Sequence, residues 1–283
     1  AISNVQHLLK KHGFVVGERV AVHCQKGSVS TAAILAIVFL GGSYLYVNPA
    51  DPSARKTQLL ELAGCQMVLS DDKEALFEAA HQQLVISVSD ITHSTNALGQ
   101  PELYKSRSLE QEFYFIFTSG TTGTPKGISV KDKSLANLID WFVHSMALSE
   151  QDRVFGLTEL NFDPSVEDLF GSLFAGATVI YPKPEVLLDR QAFVKQMQIA
   201  NISVVNFIPG AIAHLLEGAP YLPAMKHWIF GGEALPKKLR DGLLQQGYQV
   251  HNHYGPSEAT VDCLTATQQL GQPVNIGWPI QNV

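Results

Sequence analysis

The stretch that decides the fold is Phe113-Tyr114-Phe115-Ile116-Phe117-Thr118-Ser119-Gly120-Thr121-Thr122-Gly123-Thr124-Pro125-Lys126-Gly127. Its aromatic and branched start, residues 113–117, predicts a strand. That strand runs directly into hydroxyl side chains, glycines and a lysine. Glycine permits tight curvature and close amide approach to an anionic oxygen, hydroxyls are adaptable donors, and lysine adds a mobile positive charge. The combination suits phosphate. The order is not GxxxxGK[ST], because Lys126 follows Pro125, and it is not GxGxxG, so neither a P-loop ATPase nor a dinucleotide fold is implied. A flexible surface turn is the plainer reading of so much glycine, and the density of Thr, Ser, Gly and Lys straight after an apolar strand weighs against it.

Outward from this loop the chain alternates. Upstream, Val5, Leu8 and Leu9 have helical spacing up to Gly13, and residues 19–24 read as a strand. A helix follows over 30–40, with Ser28 or Ser30 as cap and Gly41-Gly42 as stop. Strands at 44–47, 66–69 and 84–88 are separated by helices at 55–62 and 74–82. The polar run 89–110 reads as a connecting loop. Downstream, a helix at 134–147 precedes short apolar segments at 154–157, 178–181, 204–208, 227–230 and 250–252. Helical stretches at 165–173, 190–198, 211–217 and 238–246 alternate with them. The rhythm predicts an α/β fold of layered sheets flanked by helices. We divide it into a first α/β portion, 1–110, including the connecting loop, and a second, 111–283, carrying the phosphate loop and a substrate pocket. No period of 20–50 residues repeats.

Composition narrows the function. A chain of 283 residues, 46% hydrophobic and 16% charged, is neither disordered nor a coiled coil. Its formal charge of -6 provides no global positive field, so neither nucleic acid nor a membrane surface is expected as partner. The longest apolar run, residues 32–40, is half of a bilayer crossing, and no basic leader precedes it. Cys24, Cys65 and Cys263 are far apart and read as buried thiols, which suits a reducing, cytoplasmic location.

Several further segments, in order, are similar to those of the adenylate-forming superfamily, and specifically to the adenylation domain of a nonribosomal peptide synthetase. The loop at 118–127 resembles that family's phosphate loop. Residues 40–52 (LGGSYLYVNPADP) resemble its early structural motif, with Asn48 where an apolar residue or proline is commoner. Asn161-Phe162-Asp163-Pro164-Ser165-Val166-Glu167 resembles the substrate-amine segment, and Gly231-Gly232-Glu233-Ala234-Leu235 the adenine-side loop. Asn252-His253-Tyr254-Gly255-Pro256-Ser257-Glu258 resembles the nucleotide and metal segment. Gly271-Gln272-Pro273 with Gly277-Trp278-Pro279-Ile280 resembles the motif that follows.

The resemblance implies roles. ATP and Mg²⁺ would be the cofactors. Thr118, Ser119, Gly120, Thr121, Thr122, Gly123 and Lys126 would surround the outer phosphates; Gly231, Gly232, Glu233, Ala234, Asn252, Gly255 and Ser257 would line the nucleotide; Tyr254 would stack on adenine. Glu258 would hold the metal, and Thr118, Lys126 and Glu258 are the catalytic candidates. The residue chemistry agrees: an aromatic face suits a planar base, and a carboxylate suits a hard cation. Taken singly, Tyr254 reads as a rim aromatic and Glu258 as a solvated charge.

Asp163 sits between Phe162 and Pro164, where a carboxylate can pair with an ammonium group. The other reading is a helix N-cap, and both can coexist. By resemblance the pocket around it comprises Pro164, Glu167, Asn206, Ile229, Gly231, His253, Val261 and Asp262. Glu167 and Asp262 point to a basic amino acid, with ornithine, lysine and arginine as candidates. The alternative is that Glu167 faces solvent and Asp262 bonds backbone amides. No histidine set has metal-ligand spacing, so His253 reads as pocket wall.

The implied reaction joins an amino-acid carboxylate to the α-phosphorus of ATP and releases pyrophosphate. Transfer to the phosphopantetheine thiol of a carrier domain would follow, with neighbouring synthetase domains as further partners. Two rivals stand beside it: an acyl-CoA synthetase, disfavoured by Asp163, and a noncatalytic nucleotide-binding regulatory or interaction module. The resemblance covers the large N-terminal core and lacks the small C-terminal subdomain, so slow turnover is expected of this stretch alone.

Overall fold

In the computed structural model, which describes residues 1–72, 83–88, 99–118 and 124–283, the apolar segments assemble into two sheets. The helix expected at 74–82, residues 89–98 of the connecting loop, and Ser119, Gly120, Thr121, Thr122 and Gly123 of the phosphate loop lie outside the described residues. The chain divides into two compact units, Ala1–Leu135 and Ala136–Val283.

The first unit contains α1 (Ile2–Lys11), β1 (Arg19–His23), α2 (Ser28–Phe39), β2 (Ser43–Tyr46), α3 (Ser53–Ala63), β3 (Met67–Ser70), β4 (Leu84–Ser87), β5 (Glu112–Thr118) and β6 (Lys126–Lys131). The sheet order is β4-β3-β1-β2-β5-β6, parallel except for β6, which returns antiparallel beside β5. Helix α2 is apolar on every side, as its burial between α1 and the strands requires. Ala21, Leu45, Leu60 and Val68 form a core on one face of the sheet, with Phe115 and Phe117 packed against it.

Strand β5 belongs to this unit, so the units divide at Leu135/Ala136 where the sequence reading drew a line at 110/111. The reason is bonding across the intended boundary. Arg19 on β1 reaches Glu112 on β5 at 2.6 and 2.8 Å, with its guanidinium 3.7 Å from the Phe115 ring centre. Arg107 pairs with Asp132 and donates to the carbonyls of Gly42 and Glu112. Hairpin partner β6 was not expected, because Lys126-Gly127-Ile128 alternates too briefly to announce a strand.

The second unit takes up most of α4 (Asp132–Ser145) and continues through β7 (Arg153–Phe155), a π turn at Glu167–Gly171, α5 (Ser172–Ala175), β8 (Thr178–Ile180) and α6 (Arg190–Ile199). Then come β9 (Val204–Phe207), α7 (Pro209–Leu216), β10 (His227–Phe230), α8 (Lys237–Gln245), β11 (Gln249–Tyr254), β12 (Leu264–Thr267) and β13 (Trp278–Pro279). The sheet runs β13-β12-β11-β10-β9-β7-β8. Its five strands from β11 to β8 are parallel, and β12 and β13 are antiparallel additions. Local chemistry sets the ends: Asp189 accepts from the Ala192 amide at 2.6 Å to cap α6, and Pro209 opens α7.

Val205, Trp228, Phe230 and Val250 alternate onto one face of this sheet and pack in a single apolar cluster with Phe193 of α6, Ile212 and Leu215 of α7 and Leu243 of α8. The intervening residues Asn206, Ile229, His251 and His253 alternate onto the other. No helix among the described residues is long and apolar enough to cross a membrane. All three cysteines are free, and burial pushes the thiols of Cys24 and Cys65 up to about 12.

Candidate active site

Parallel strands β9, β10 and β11 carry the site because their pleat puts Asn206, Ile229 and His251 in register on one face, with His253 two residues further along β11. Over that face lies the π turn. A helix one residue wider than usual per turn is a common feature of functional sites. Here it places Glu167 so that Asn206 Nδ2 donates to its Oε2 at 2.8 Å.

Glu167, His253 and Asp262 converge, one ligand atom from each lying within 4.8 Å of the others, and all three are buried. Asp262 Oδ2 is 2.5 Å from His253 Nδ1, and its carboxyl lies beside that of Glu167. Burial pushes the Glu167 carboxyl well above the ordinary range, with the neighbouring Asp262 charge adding to the shift. Glu167 therefore does not face solvent, and Asp262 is held by a side chain rather than by backbone amides. The carboxylate partner of His253 is Asp262, nine residues later in the sequence.

Asp163 stands at the turn leading into this helix. Burial raises the pKa of its carboxyl, the neighbouring Ser257 hydroxyl and its own backbone oppose that rise, and the charges of Asp262 and Glu258 add to it. It does not cap the helix, which begins at Glu167 without a side-chain cap. A half-buried carboxylate under pressure from other acids is poised for a cation. Pro164 is half-buried beside it, and its carbonyl accepts from the Glu167 amide.

The loop after β11 brings the remaining groups. Tyr254 is 51% exposed, so its ring face is open at the strand end. Ser257 and Glu258 lie in a short 3-10 turn at Ser257–Ala259, with Glu258 exposed. Thr260 and Val261 then both adopt left-handed φ values of 65° and 66°. Such backbone in β-branched residues is strained, a cost of about 1–3 kcal/mol each, and it turns Asp262 back toward His253. The loop closes through the Cys263 amide onto the Tyr254 carbonyl. Gly255 is obligatory there, since a Cβ would lie 2.1 Å from the Val261 carbonyl oxygen.

Gly231, Gly232, Glu233 and Ala234 follow β10. A Cβ on Gly231 would press to 3.3 Å from the His253 carbonyl oxygen, so glycine keeps this edge open. Glu233 leans toward the first turn of α7, where a Cβ on Gly210 would meet its carboxylate at 2.7 Å. Asn252 alternates away from His253 and donates to the Asn275 carbonyl at 2.9 Å, so it does not join the converging groups. In the first unit, Thr118 and Lys126 are cross-strand partners at the loop end of the β5–β6 hairpin, Thr118 half-buried and Lys126 exposed.

Sequence reading missed the α4 contribution. The Trp141 ring centre is 5.3 Å from that of His253, and Phe142 meets His253 edge-on at 6.5 Å. Both lie in an ordinary apolar helix stripe, which gives no signal of a pocket wall. Val261 was named for the pocket, but nothing in the residue type announced its left-handed backbone.

The sequence profile of the AMP-binding enzymes matches residues 2–283. The chain is 30% identical over 280 residues to phosphinothricin tripeptide synthetase PhsB of Streptomyces viridochromogenes, covering 97% of this chain and 24% of the relative. It is 31% identical over 278 residues to tyrocidine synthase 2 of Brevibacillus parabrevis, covering 97% of this chain and 8% of that one. The chain thus spans a quarter or less of these curated relatives. Among solved structures, the nonribosomal peptide synthetase FmoA3 with α-methyl-L-serine-AMP bound superimposes with a TM-score of 0.88 at 27% identity, over 99% of this chain and 32% of that one. The N-terminal subdomain of Klebsiella oxytoca NpsA, at 20% identity and a TM-score of 0.85, shares the fold, covering 99% of this chain and 70% of its own. With the profile matched over residues 2–283 and the α/β core shared with a nonribosomal peptide synthetase structure, this chain belongs to the AMP-binding enzyme family.

Proposed function

We propose that this chain activates an amino acid with ATP, forming an aminoacyl-adenylate and releasing pyrophosphate, and that the substrate is basic. The observation that carries the reading is the placement of Asp163, half-buried beside Ser257, in the same unit as the buried Glu167 and Asp262. One carboxylate is positioned for an α-ammonium, and a second acidic group is positioned for a charged side chain.

Tyr254 would stack on the adenine, Gly231–Ala234 would leave the backbone open beside it, and Thr118, Lys126 and the intervening loop would engage the outer phosphates. Asn252 plays at most an indirect part, through the loop at Asn275. Glu258 fits a hard cation: it is an exposed carboxylate whose charge is felt at Asp163. Bound there, Mg²⁺ would neutralise charge building on the phosphoryl oxygens. The protein would act by positioning and charge stabilisation, with no side-chain nucleophile. Transfer of the acyl group to a carrier domain's phosphopantetheine thiol belongs to the same reading, as does a cytoplasmic location, where ATP is abundant and the three free thiols stay reduced.

Exchange of labelled pyrophosphate into ATP, tested with each common amino acid and ornithine, checks this. A basic amino acid should drive exchange. Exchange with an aryl or fatty acid alone would move the assignment to an acyl-activating enzyme, and none at all would favour a binding module.

A further inference from the structure

Gly171 closes the π turn with ordinary right-handed helical backbone, φ -59° and ψ -46°, so its conformation does not call for glycine. Glycine is also the poorest helix former short of proline, and alanine suits such a position better. Space is the reason for it. A Cβ there would lie 2.8 Å from Cδ1 and 3.1 Å from Cε1 of Phe142 on α4, inside the separation at which carbon atoms pack. Val143 Cγ2, at 4.0 Å, is in ordinary contact, so the ring alone stands in the way. Phe142 is fully buried and has no room to swing into solvent. The same ring meets His253 of β11 edge-on, 6.5 Å between centres, and lies 6.3 Å from Trp141, whose own ring is 5.3 Å from His253. Phe142 is therefore a spacer between the π turn and the end of β11. At the other end of the turn, Asn206 of β9 donates to Glu167 Oε2 at 2.8 Å. The turn is seated at two points: a hydrogen bond at its first residue and a bare Cα against a ring at its last.

Resting on the amino-acid reading above, we propose that Gly171 and Phe142 are a pair of positioning residues that sets which amino acid fits. Their contact fixes how closely the π turn seats against α4, and with it the placement of Asp163 at the entry to the turn. Neither residue needs to touch the substrate. The effect is steric: a methyl group added at position 171 must be cleared to about 3.5–4.0 Å, so either the turn backs off by about 1 Å or the ring is driven toward His253. A close-packed interior absorbs such a change by moving its neighbours, because it holds no spare volume. Both movements alter the space between the turn and the strand face. A misplacement of about 1 Å away from the reacting atoms is enough to cost about a hundredfold in rate. Tyr254 and Gly231–Ala234 are carried on the loops after β11 and β10, so the nucleotide side is affected far less.

The test uses the complete polypeptide that carries this chain. Pyrophosphate exchange is measured with the common amino acids, ornithine and 2,4-diaminobutyrate, and KM is taken separately for ATP and for the best amino acid. Gly171→Ala should raise the amino-acid KM about tenfold, with the KM for ATP within about threefold of the unaltered protein. The preference between that amino acid and its homologue one methylene shorter or longer should change by about fivefold. Adding Phe142→Leu should bring the amino-acid KM back to within about threefold of the unaltered protein, the non-additivity expected of residues in contact. Gly242→Ala in α8, where a Cβ meets nothing within 4 Å, is the control and should leave every value where it was. Folding is checked by circular dichroism. If Gly171→Ala does not fold, Phe142→Leu alone probes the contact from the other side and should shift the same preference. An unchanged KM and preference in the folded variant, equal rises in both KM values, or a double variant no better than the single one overturns the pair and leaves the amino-acid reading intact. Exchange with no amino acid in the unaltered polypeptide removes that reading and the pair with it.

Discussion

On one face of the second sheet Val205, Trp228, Phe230 and Val250 pack against Phe193, Ile212, Leu215 and Leu243, while on the other Asn206, His251 and His253 lie beneath Glu167 and Asp262. Both faces are closed to water. The first gains from burial at about 25 cal/mol per Å² of apolar surface. The second buries charges and imidazoles, whose desolvation consumes most of what their mutual attraction returns. The difference teaches that one face holds the fold and the other holds a charge pattern. The strained turn at Thr260 and Val261 belongs with the second, spending stability to aim Asp262.

Four substitutions can break or sharpen this contrast. Phe193→Ala removes a fully buried ring from the apolar cluster and should cost about 3–5 kcal/mol in denaturant unfolding. A loss under about 1 kcal/mol would mean that face is not the source of stability. Asp163→Ala, on the other side, should leave the unfolding midpoint nearly unchanged and lower kcat/KM in pyrophosphate exchange by about a hundredfold, about 2.7 kcal/mol. Equal losses in folding and exchange would erase the division of labour.

The third concerns acid. Burial holds His251 neutral, with its pKa lowered from 6.5 to about 3, so as pH falls the unfolded chain takes up a proton that the folded protein refuses. Stability should decline from about pH 6.5 toward 3, by roughly 1.4 kcal/mol per unit and about 2 kcal/mol by pH 5. Glu167 has the opposite sign: its raised value favours the folded state in acid and loses that contribution as pH rises through it. His251→Gln should flatten the decline in unfolding free energy between pH 7 and 5; an unchanged slope would assign the acid sensitivity elsewhere. Last, Lys238→Ala breaks a surface pair with Glu217 at 2.7 Å and should leave both midpoint and exchange where they are, since exposed pairs are screened.

Much of the architecture was readable in local pattern. The alternation of short apolar runs with helical stripes located β1, β9, β10, α6 and α8 to within a residue or two, because strand and helix periods are properties of neighbouring residues. Strands β6, β12 and β13 escaped notice, being stabilised by ladders to partners whose position only the fold supplies. The site divides the same way. Asp163, Glu167, Tyr254 and Glu258 stand in recognisable segments and Asp262 lies just beyond one, whereas Trp141 carried no mark at all.

The amino-acid sequence alone determined the α/β class, the family segments and which residue types were available to bind phosphate, ammonium and metal. Only the tertiary structure decided that Glu167 is buried against Asp262, that His253 holds Asp262, and that β5 joins the first sheet through Arg19 and Glu112. The physical reason is range: propensity and period act over a few residues, whereas buried ion pairs and desolvation depend on groups brought together from positions tens of residues apart.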